Sequence, residues 1–380
     1  MTISAGRRDA VLAQAMLDSR DWNAARRYAE SALAAGYEPA RELCIAAAYL
    51  GRDLGRAILL LEGSKEPGAA EYALLIRLQL LAGDQEIGWK TLYDCCRAEL
   101  FGPPLYDLPF WIGEPLQGRH IVVWGAGQGD EILFARFLRS LIARGAVVTV
   151  NCRSSMVRLL RSISGVREVL PLDVATKSAE LQVRTAELPA LLGIGPQEIW
   201  SGPYLHAPPL NIAGEGLRVG LVWGSDARHL EASDRTVSLA DMAPLAAIPD
   251  LQLFSLQLGR HGVQAVRPPT GMEIVDLAPR IGDFADTAAA VAALDLVISI
   301  DTAVSNLAGA MGARVWVAVP FVPDWRWGHD GDSTPWYPTA TIYRQPRTGD
   351  WTSVFEAMAA DLAAPANRKP GRALWSDTGG

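Results

Sequence analysis

Residues 296–320 read LVISIDTAVSNLAGAMGARVWVAVP, and the fold of most of the chain turns on how this stretch is parsed. The opening run Leu296-Val297-Ile298-Ser299-Ile300 has the length and β-branched content of a buried strand. It stops at Asp301-Thr302. The small-residue segment after it places Leu307 and Met311 four apart, on one face of a helix. Gly312-Ala313 ends that helix, and Val315-Trp316-Val317-Ala318-Val319 reads as a second buried strand. Such a βαβ unit puts a polar pair at the carboxyl end of a parallel strand, where open α/β sheets bind ligands. The N-terminus of the following helix offers unpaired N–H groups and a positive dipole end, a seat suited to phosphate. Asp301 and Thr302 serve equally well as a helix cap. These residues alone leave both readings open.

The same alternation extends in both directions. Strand-like runs at 218–223, 251–257, 273–276 and 341–343 are separated by helical segments. Upstream, the strand Ile121-Val122-Val123-Trp124 leads into Gly125-Ala126-Gly127-Gln128-Gly129-Asp130. A helix follows with Ile132, Leu133, Phe134, Phe137, Leu138 and Leu141 at helical spacing, and 147–150 and 181–183 are further strands. Strands alternating with helices imply parallel sheets with right-handed crossovers. The Pro- and Gly-rich stretch 195–216 divides the pattern into two α/β halves. The glycine turn has two readings. A dinucleotide or S-adenosylmethionine site predicts an acid at the end of the next strand for the ribose hydroxyls, but that strand runs into Asn151-Cys152-Arg153. Alternatively, the glycines Gly127 and Gly129, with Gln128, bring backbone close to an acceptor. Asp130 then projects from a helix N-terminus as a general base. The bland alternative is that Asp130 complements the helix dipole.

Residues 1–100 carry little β signal and are rich in Ala, Leu, Arg and Glu. Asp21, Asp53 and Asp84 recur after 32 and then 31 residues, each between two apolar helical segments. Ala25, Ala29 and Ala32 supply small positions where paired helices approach closely. The pattern resembles degenerate tetratricopeptide repeats, units that bury their faces only by stacking. Such an array either holds a peptide or protein acceptor or serves as a packing module.

With 49% hydrophobic and 20% charged residues and a net charge of −7, the composition is that of a globular protein without a basic nucleic-acid face. The expectation is a cytoplasmic protein with no leader and no membrane span. The cysteines Cys44, Cys95, Cys96 and Cys152 lack CxxC spacing and read as reduced thiols, and the five scattered histidines give no metal motif. The polar tail 365–380 is expected to be disordered.

Taken together, Trp111-Ile112-Gly113-Glu114-Pro115-Leu116, Gln128-Gly129-Asp130, Gly220-Leu221-Val222-Trp223-Gly224, Asp234-Arg235-Thr236-Val237-Ser238-Leu239, Asp301-Thr302-Ala303-Val304 and Pro323-Asp324-Trp325-Arg326-Trp327 with Pro335-Trp336-Tyr337-Pro338 and Arg344-Gln345 form an ordered set. The set resembles the glycosyltransferases that carry tetratricopeptide repeats. Their catalytic region is in turn similar to the ADP-heptose:lipopolysaccharide heptosyltransferases of glycosyltransferase family 9. The resemblance spans about residues 10–362. It implies a GT-B fold, α/β with an N-terminal all-α repeat region, in which two Rossmann-like domains face each other across a cleft. The implied divisions are 1–100 for the repeats, 101–212 for the acceptor-side domain and 213–364 for the nucleotide-sugar domain. The implied reaction is metal-independent, inverting transfer of a sugar from a nucleotide-diphosphate donor to a hydroxyl; the repeat array beside it suggests a protein acceptor, with a glycan or a lipid-linked hydroxyl as the alternatives. Asp130 matches the family's candidate general base. Arg235 sits where the heptosyltransferases carry a phosphate-contacting lysine. Asp301 matches a sugar-contacting acid, and the Thr302 and Ala303 amides would cradle the diphosphate. Ser225 is a further phosphate ligand, and Gln257 would face the base or ribose. Asn306 stands where relatives usually have histidine, and Leu258 where a basic residue is common. Trp325, Arg326, Trp327, Trp336 and Tyr337 are expected to brace the C-terminal crossover. Two other classes compete with this one: a non-catalytic repeat adaptor with a decayed transferase, and another nucleotide-dependent transferase such as a methyltransferase.

Overall fold

The computed structural model describes residues 5–125, 127–214, 216–225 and 232–367. Among these, the chain forms two compact units. One comprises the N-terminal region to Gly102 together with Val322–His329, and the other holds the remainder.

The first unit is built from helix pairs α1 (Ala5–Asp18) and α2 (Trp22–Ala34), α3 (Ala40–Leu50) and α4 (Leu54–Glu62), and α5 (Ala69–Leu81) and α6 (Gln85–Arg97). The recurring aspartates are the N-caps of the second helix in each pair. The Asp21 carboxylate accepts from the Ala24 amide at 2.9 Å and Asp53 from the Arg56 amide at 3.1 Å. Each aspartate follows a residue in the left-handed region, Arg20 (φ 62°), Arg52 (φ 62°) or Gly83 (φ 92°). One turn geometry is therefore written three times. Small and aliphatic side chains fill the seam, among them Ala13, Ala29, Cys44, Ala48, Ala57 and Leu78, all buried. Residues 322–329 lie on this array. Arg77 Nη2 donates to the Pro323 carbonyl at 3.3 Å, Arg52 donates to the His329 carbonyl, and Trp89 meets Trp325 edge-on at 5.2 Å.

The second unit contains two parallel sheets. In the first, strands β1 (His120–Trp124), β2 (Val147–Cys152), β3 (Val166–Pro171) and β4 (Leu181–Arg184) run in the order β3-β2-β1-β4. Helices α7 (Gln128–Ala135), α8 (Leu138–Ala143), α9 (Val157–Leu160) and α10 (Leu188–Leu192) accompany them. In the second sheet, β5 (Leu217–Val222), β6 (Leu251–Ser255), β7 (Ile274–Asp276), β8 (Leu296–Ile300), β9 (Val315–Val319) and β10 (Ala340–Arg344) run in the order β10-β9-β8-β5-β6-β7. Its helices are α11 (Ala232–Arg235), α12 (Val263–Val266), α13 (Phe284–Ala292), α14 (Ala303–Ala310) and α15 (Trp351–Ala363). The alternation read from the sequence thus yields an α/β architecture behind an N-terminal all-α region. The opening stretch is β8, α14 and β9, and both strands are buried along their whole length, as their unbroken apolar runs require.

In both sheets the strand order reverses beside the first strand. β1 lies between β2 and β4, and β5 lies between β6 and β8. At the junctions of β1 with β4 and of β5 with β8, the connections on either side therefore run to opposite faces of the sheet, which opens a crevice at the carboxyl ends of these strands. The connection at 195–216 runs along the second half. Tyr204 and Leu205 donate amide hydrogens to the Ala310 carbonyl, and Leu210 donates to that of Ala289. Of the tail expected to be disordered, Pro365–Asn367 forms a 3-10 turn held by Arg314, which donates to the Asn367 carbonyl at 2.7 Å. Residues 368–380 lie outside the described residues.

Candidate active site

The turn after β8 is a closed capping arrangement. Thr302 is extended (φ −143°), and its hydroxyl accepts from the Val304 amide at 3.2 Å. Its own amide donates to Ser305 Oγ at 3.1 Å, and that hydroxyl donates back to the Thr302 carbonyl at 2.7 Å. Thr302 is therefore the helix cap. Its amide is committed to Ser305, which leaves the Ala303 N–H, the first of α14, outside the capping set. Asp301 does something else. Its carboxylate pairs with Arg235 Nη1 at 3.1 Å, and both side chains are largely buried. Arg235 Nε is buried without a hydrogen-bond partner among the described residues. A cation held by one fork nitrogen, with a spare buried N–H beside a helix N-terminus, suits a phosphate oxygen. The exchange of water for partners also makes the pair costly to break. Removing one member of a buried ion pair costs on the order of 3–5 kcal/mol.

Ser225, just past β5, is buried, and its amide and hydroxyl both meet Thr236 Oγ1, at 3.2 and 3.0 Å. It ties the end of β5 to Thr236, the residue after Arg235, rather than standing alone in the crevice. Gln257 departs further from its expected role. Its Oε1 accepts from the Trp223 and Gly224 amides (3.0 and 2.7 Å), and its Nε2 donates to the Gly224 and Leu258 carbonyls (3.2 and 3.0 Å). All four hydrogen-bonding positions of the amide are spent on backbone. Gln257 therefore shapes the β5 turn and has nothing left to offer a base or ribose. Leu258 is exposed.

On the first sheet, Gly127 caps α7 with extended backbone (φ −79°, ψ 166°), and Asp130 and Glu131 occupy its first turn. Asp130 is half-buried and lies close over the turn, its Oδ2 3.6 Å from where a Gly127 Cβ would be. Gln128 is exposed and donates to Ser155 Oγ at 3.2 Å. A Cβ built on Gly129 would lie 3.7 Å from Asn306 Nδ2, so this turn abuts α14 directly. The structure thus brings together Gly129, Asp130's turn and the helix whose N-terminus carries Thr302 and Ala303. The position at which a ribose-binding acid would stand is closed. Asn151 at the end of β2 accepts from Tyr106 OH and donates to the carbonyls of Pro171 and Val174, both at 2.9 Å.

Two residues escaped sequence reasoning, and a third, Asn306, stands out there only as a departure from histidine. Glu131 is 3% exposed; its Oε1 accepts from the Arg153 amide at 3.1 Å, while Oε2 is buried without a partner among the described residues. Burial pushes its pKa up to about 7, against the opposing pull of the Arg153 amide and charge. Arg136, at the C-cap of α7, is 1% exposed and surrounded by carbonyls and aromatic rings. Asn306 is buried and engaged at both ends of its amide, to the Thr302 carbonyl and Tyr337 OH, each at 2.9 Å. The available signal for Glu131 and Arg136 was a charge inside an otherwise apolar helical run. The expected aromatic brace is divided: Trp325 sits on the helical array, whereas Trp336 and Tyr337 enclose Arg136.

Among the described residues, no helix is long and apolar enough to cross a membrane, and no group of three or more His, Cys, Asp or Glu is placed to hold a metal ion.

No family model matches the sequence. A curated relative, the protein FlbA of Caulobacter vibrioides, is 23% identical over 341 residues. The match takes in 78% of this chain, which spans 56% of that relative's length. Among solved structures, the chain is similar to a glycosyl transferase family 9 protein of Veillonella parvula, at 12% identity and a TM-score of 0.47 over 62% of this chain and 88% of that one. It is also similar to the ADP-heptose lipopolysaccharide heptosyltransferase II of E. coli, at 14% identity and a TM-score of 0.45 over 65% of this chain and all of that one. An O-GlcNAc transferase of Thermobaculum terrenum aligns over 95% of this chain and 91% of its own, at 13% identity and a TM-score of 0.31.

Proposed function

We propose that the chain is a GT-B glycosyltransferase that moves a sugar from a nucleotide-diphosphate donor to a hydroxyl acceptor. The observation that carries this reading is the meeting of two switch-point turns. The Gly127–Asp130 turn of one parallel sheet lies against α14 of the other, and Asp301, just before α14, holds a largely buried arginine that has, among the described residues, an uncommitted N–H. In this reading Arg235, the Ala303 amide and the α14 dipole receive the diphosphate and meet the charge of the departing nucleotide. That is the work a metal ion would otherwise do, so the proposed reaction needs none. Asp301 holds Arg235 in place from behind and lies where the transferred sugar would meet it. Asp130 takes the proton of the acceptor hydroxyl as the new bond forms, and direct displacement inverts the anomeric carbon. The saturated Asn151 speaks against a dinucleotide or S-adenosylmethionine site, which needs a carboxylate there. A protein acceptor engaged by the helical array, in the cytoplasm, completes the proposal.

A melting-temperature screen against ADP-, UDP-, GDP- and CMP-sugars tests it, since a ligand that binds only the folded state stabilises by about 2.7 kcal/mol at a hundredfold excess over Kd. One nucleotide-diphosphate sugar should raise Tm by several degrees. A shift with S-adenosylmethionine and none with any nucleotide sugar would replace the proposal with a methyltransferase, and no shift with either would favour the adaptor.

A further inference from the structure

The most heavily invested polar group outside the proposed machinery is Arg136. Its guanidinium is 1% exposed and has no ion-pair partner among the described residues. Nε donates to the Leu133 carbonyl at 2.9 Å, Nη1 to the carbonyls of Trp200 and Trp336 at 3.0 Å each, and Nη2 to Tyr204 OH at 3.1 Å. The rings of Tyr204, Trp336 and Tyr337 stand 5.0, 5.1 and 5.0 Å from its central carbon. A buried charge survives only when its lost hydration is replaced. Here the replacement comes from the end of α7, whose dipole favours a cation, from π-faces, and from carbonyls of three separate segments. Arg136 is thereby tied to its own helix, to the linker and to the second α/β half at once.

The connection continues to the donor turn. Tyr337, whose ring already borders Arg136, donates its hydroxyl to Asn306 Oδ1. Asn306 Nδ2 donates to the carbonyl of Thr302, the cap of α14. Tyr337 also fills the space beside Gly309 so closely that a Cβ there would meet its ring at 2.4 Å, which locks the tyrosine against α14. At its other end, α7 returns to the same Asn306 amide through Gly129. The result is a closed circuit of Thr302, Asn306, Tyr337, Arg136 and α7.

We infer that Arg136, Tyr337 and Asn306 form a positioning unit that holds α7, and with it Asp130, at a fixed distance from the Thr302–Ala303 turn. None of the three touches the reacting atoms. Asn306 is then more than the loss of a phosphate-binding histidine: an uncharged amide with one acceptor and one donor engaged, it joins the tyrosine to the cap without titrating. The inference rests on the proposed roles of Asp130 and the α14 turn, but its structural half is testable without them.

Tyr337→Phe removes a single oxygen from the circuit, and Arg136→Lys keeps the charge while losing the planar fork. Hydrogen exchange on the full chain should show the amides of residues 131–136 exchanging at least fivefold faster in both variants, with no ligand present. With ADP added, the wild type should protect both residues 303–306 and residues 131–136. Tyr337→Phe should keep the former, lose the latter and bind ADP within about threefold of the wild type. Turnover of the nucleotide sugar selected by the melting screen should fall at least tenfold in Tyr337→Phe, at a KM changed by less than about threefold, a split that general destabilisation does not produce. Unchanged exchange at 131–136 in both ligand-free variants would overturn the positioning unit even if ADP binds. Failure of the wild type to bind ADP or any other nucleoside diphosphate, with exchange at 131–136 still accelerated, would remove the functional reading and leave the circuit as a purely structural brace.

Discussion

The two strand-to-helix turns that meet in the second unit share a topology and differ in charge. Each follows the carboxyl end of the strand at its sheet's switch point, and each starts a helix of eight residues. The α14 turn is capped by Thr302 and Ser305, has no acid in its first turn, and carries Asp301 bound to a largely buried arginine. The α7 turn has no side-chain cap and places Asp130 and Glu131 in its first turn. One helix end is left to receive an anion, whereas the other already carries its own. In the proposed reaction the same backbone device serves opposite tasks, and the side chains of the first turn decide which. This division matches what sugar transfer needs: a place for departing negative charge and a base across from it.

The comparison breaks most visibly at Asp130. Asp130→Ala should lower turnover at least a hundredfold, about 2.7 kcal/mol or more of barrier, and leave nucleotide affinity within about twofold. Steady-state kinetics with the sugar donor identified by melting shifts would show it, and full turnover in the variant would strip Asp130 of its role.

The neighbouring acid sharpens the contrast in a different way. Because burial raises the Glu131 pKa to about 7 from 4.5, the folded protein keeps a proton that the unfolded chain has released over that interval. Its contribution to stability is full below pH 4.5 and lost as pH rises through about 7. Denaturant unfolding at pH 5 and pH 8 should therefore shift in favour of Glu131→Gln, relative to the wild type, by on the order of 1–3 kcal/mol. A stability difference independent of pH would mean that Glu131 is ionised throughout, and that both acids of α7 are charged. A smaller effect is expected on the other helix. Thr302→Ala loses the cap of α14 and should cost about 1 kcal/mol in chemical denaturation. A cost near zero would show that Ser305 and Asn306 hold the turn without it.

The periodic parts of this molecule were legible in its sequence. The aspartate spacing of residues 21, 53 and 84 falls on three helix N-cap positions, at two of which the carboxylate accepts from the helix backbone, because the turn that needs a cap recurs with the repeat. The apolar runs at 296–300 and 315–319 are strands buried throughout, because a parallel strand covered on both faces has no polar side to show. The placement of Asp301 at the end of β8 and of Asp130 in the turn after β1 followed from the same alternation, whereas Arg235, on α11, was singled out only by the resemblance. What stayed hidden depends on contacts between distant segments. Arg136 draws its partners from Trp200, Tyr204 and Trp336, none of which marks itself as the ligand of a buried guanidinium. Gln257 occupies a strand end that reads as a ligand position, yet the Gly224 backbone beside it uses the whole amide. The aromatic residues 325–337 form one cluster in the sequence, but Pro323 and His329 offer carbonyls that Arg77 and Arg52 take, so the cluster is split between two units.

The claim on which the rest depends is that the α14 turn with Arg235 receives a nucleoside diphosphate. Calorimetric titration of ADP, UDP and GDP into the wild type and into Arg235→Ala tests it directly, with melting curves to show that the variant remains folded. The account predicts that one of these nucleotides binds the wild type and that Arg235→Ala weakens it at least tenfold, about 1.4 kcal/mol. No binding of any of them at millimolar concentration, or equal binding by a folded Arg235→Ala, would contradict it.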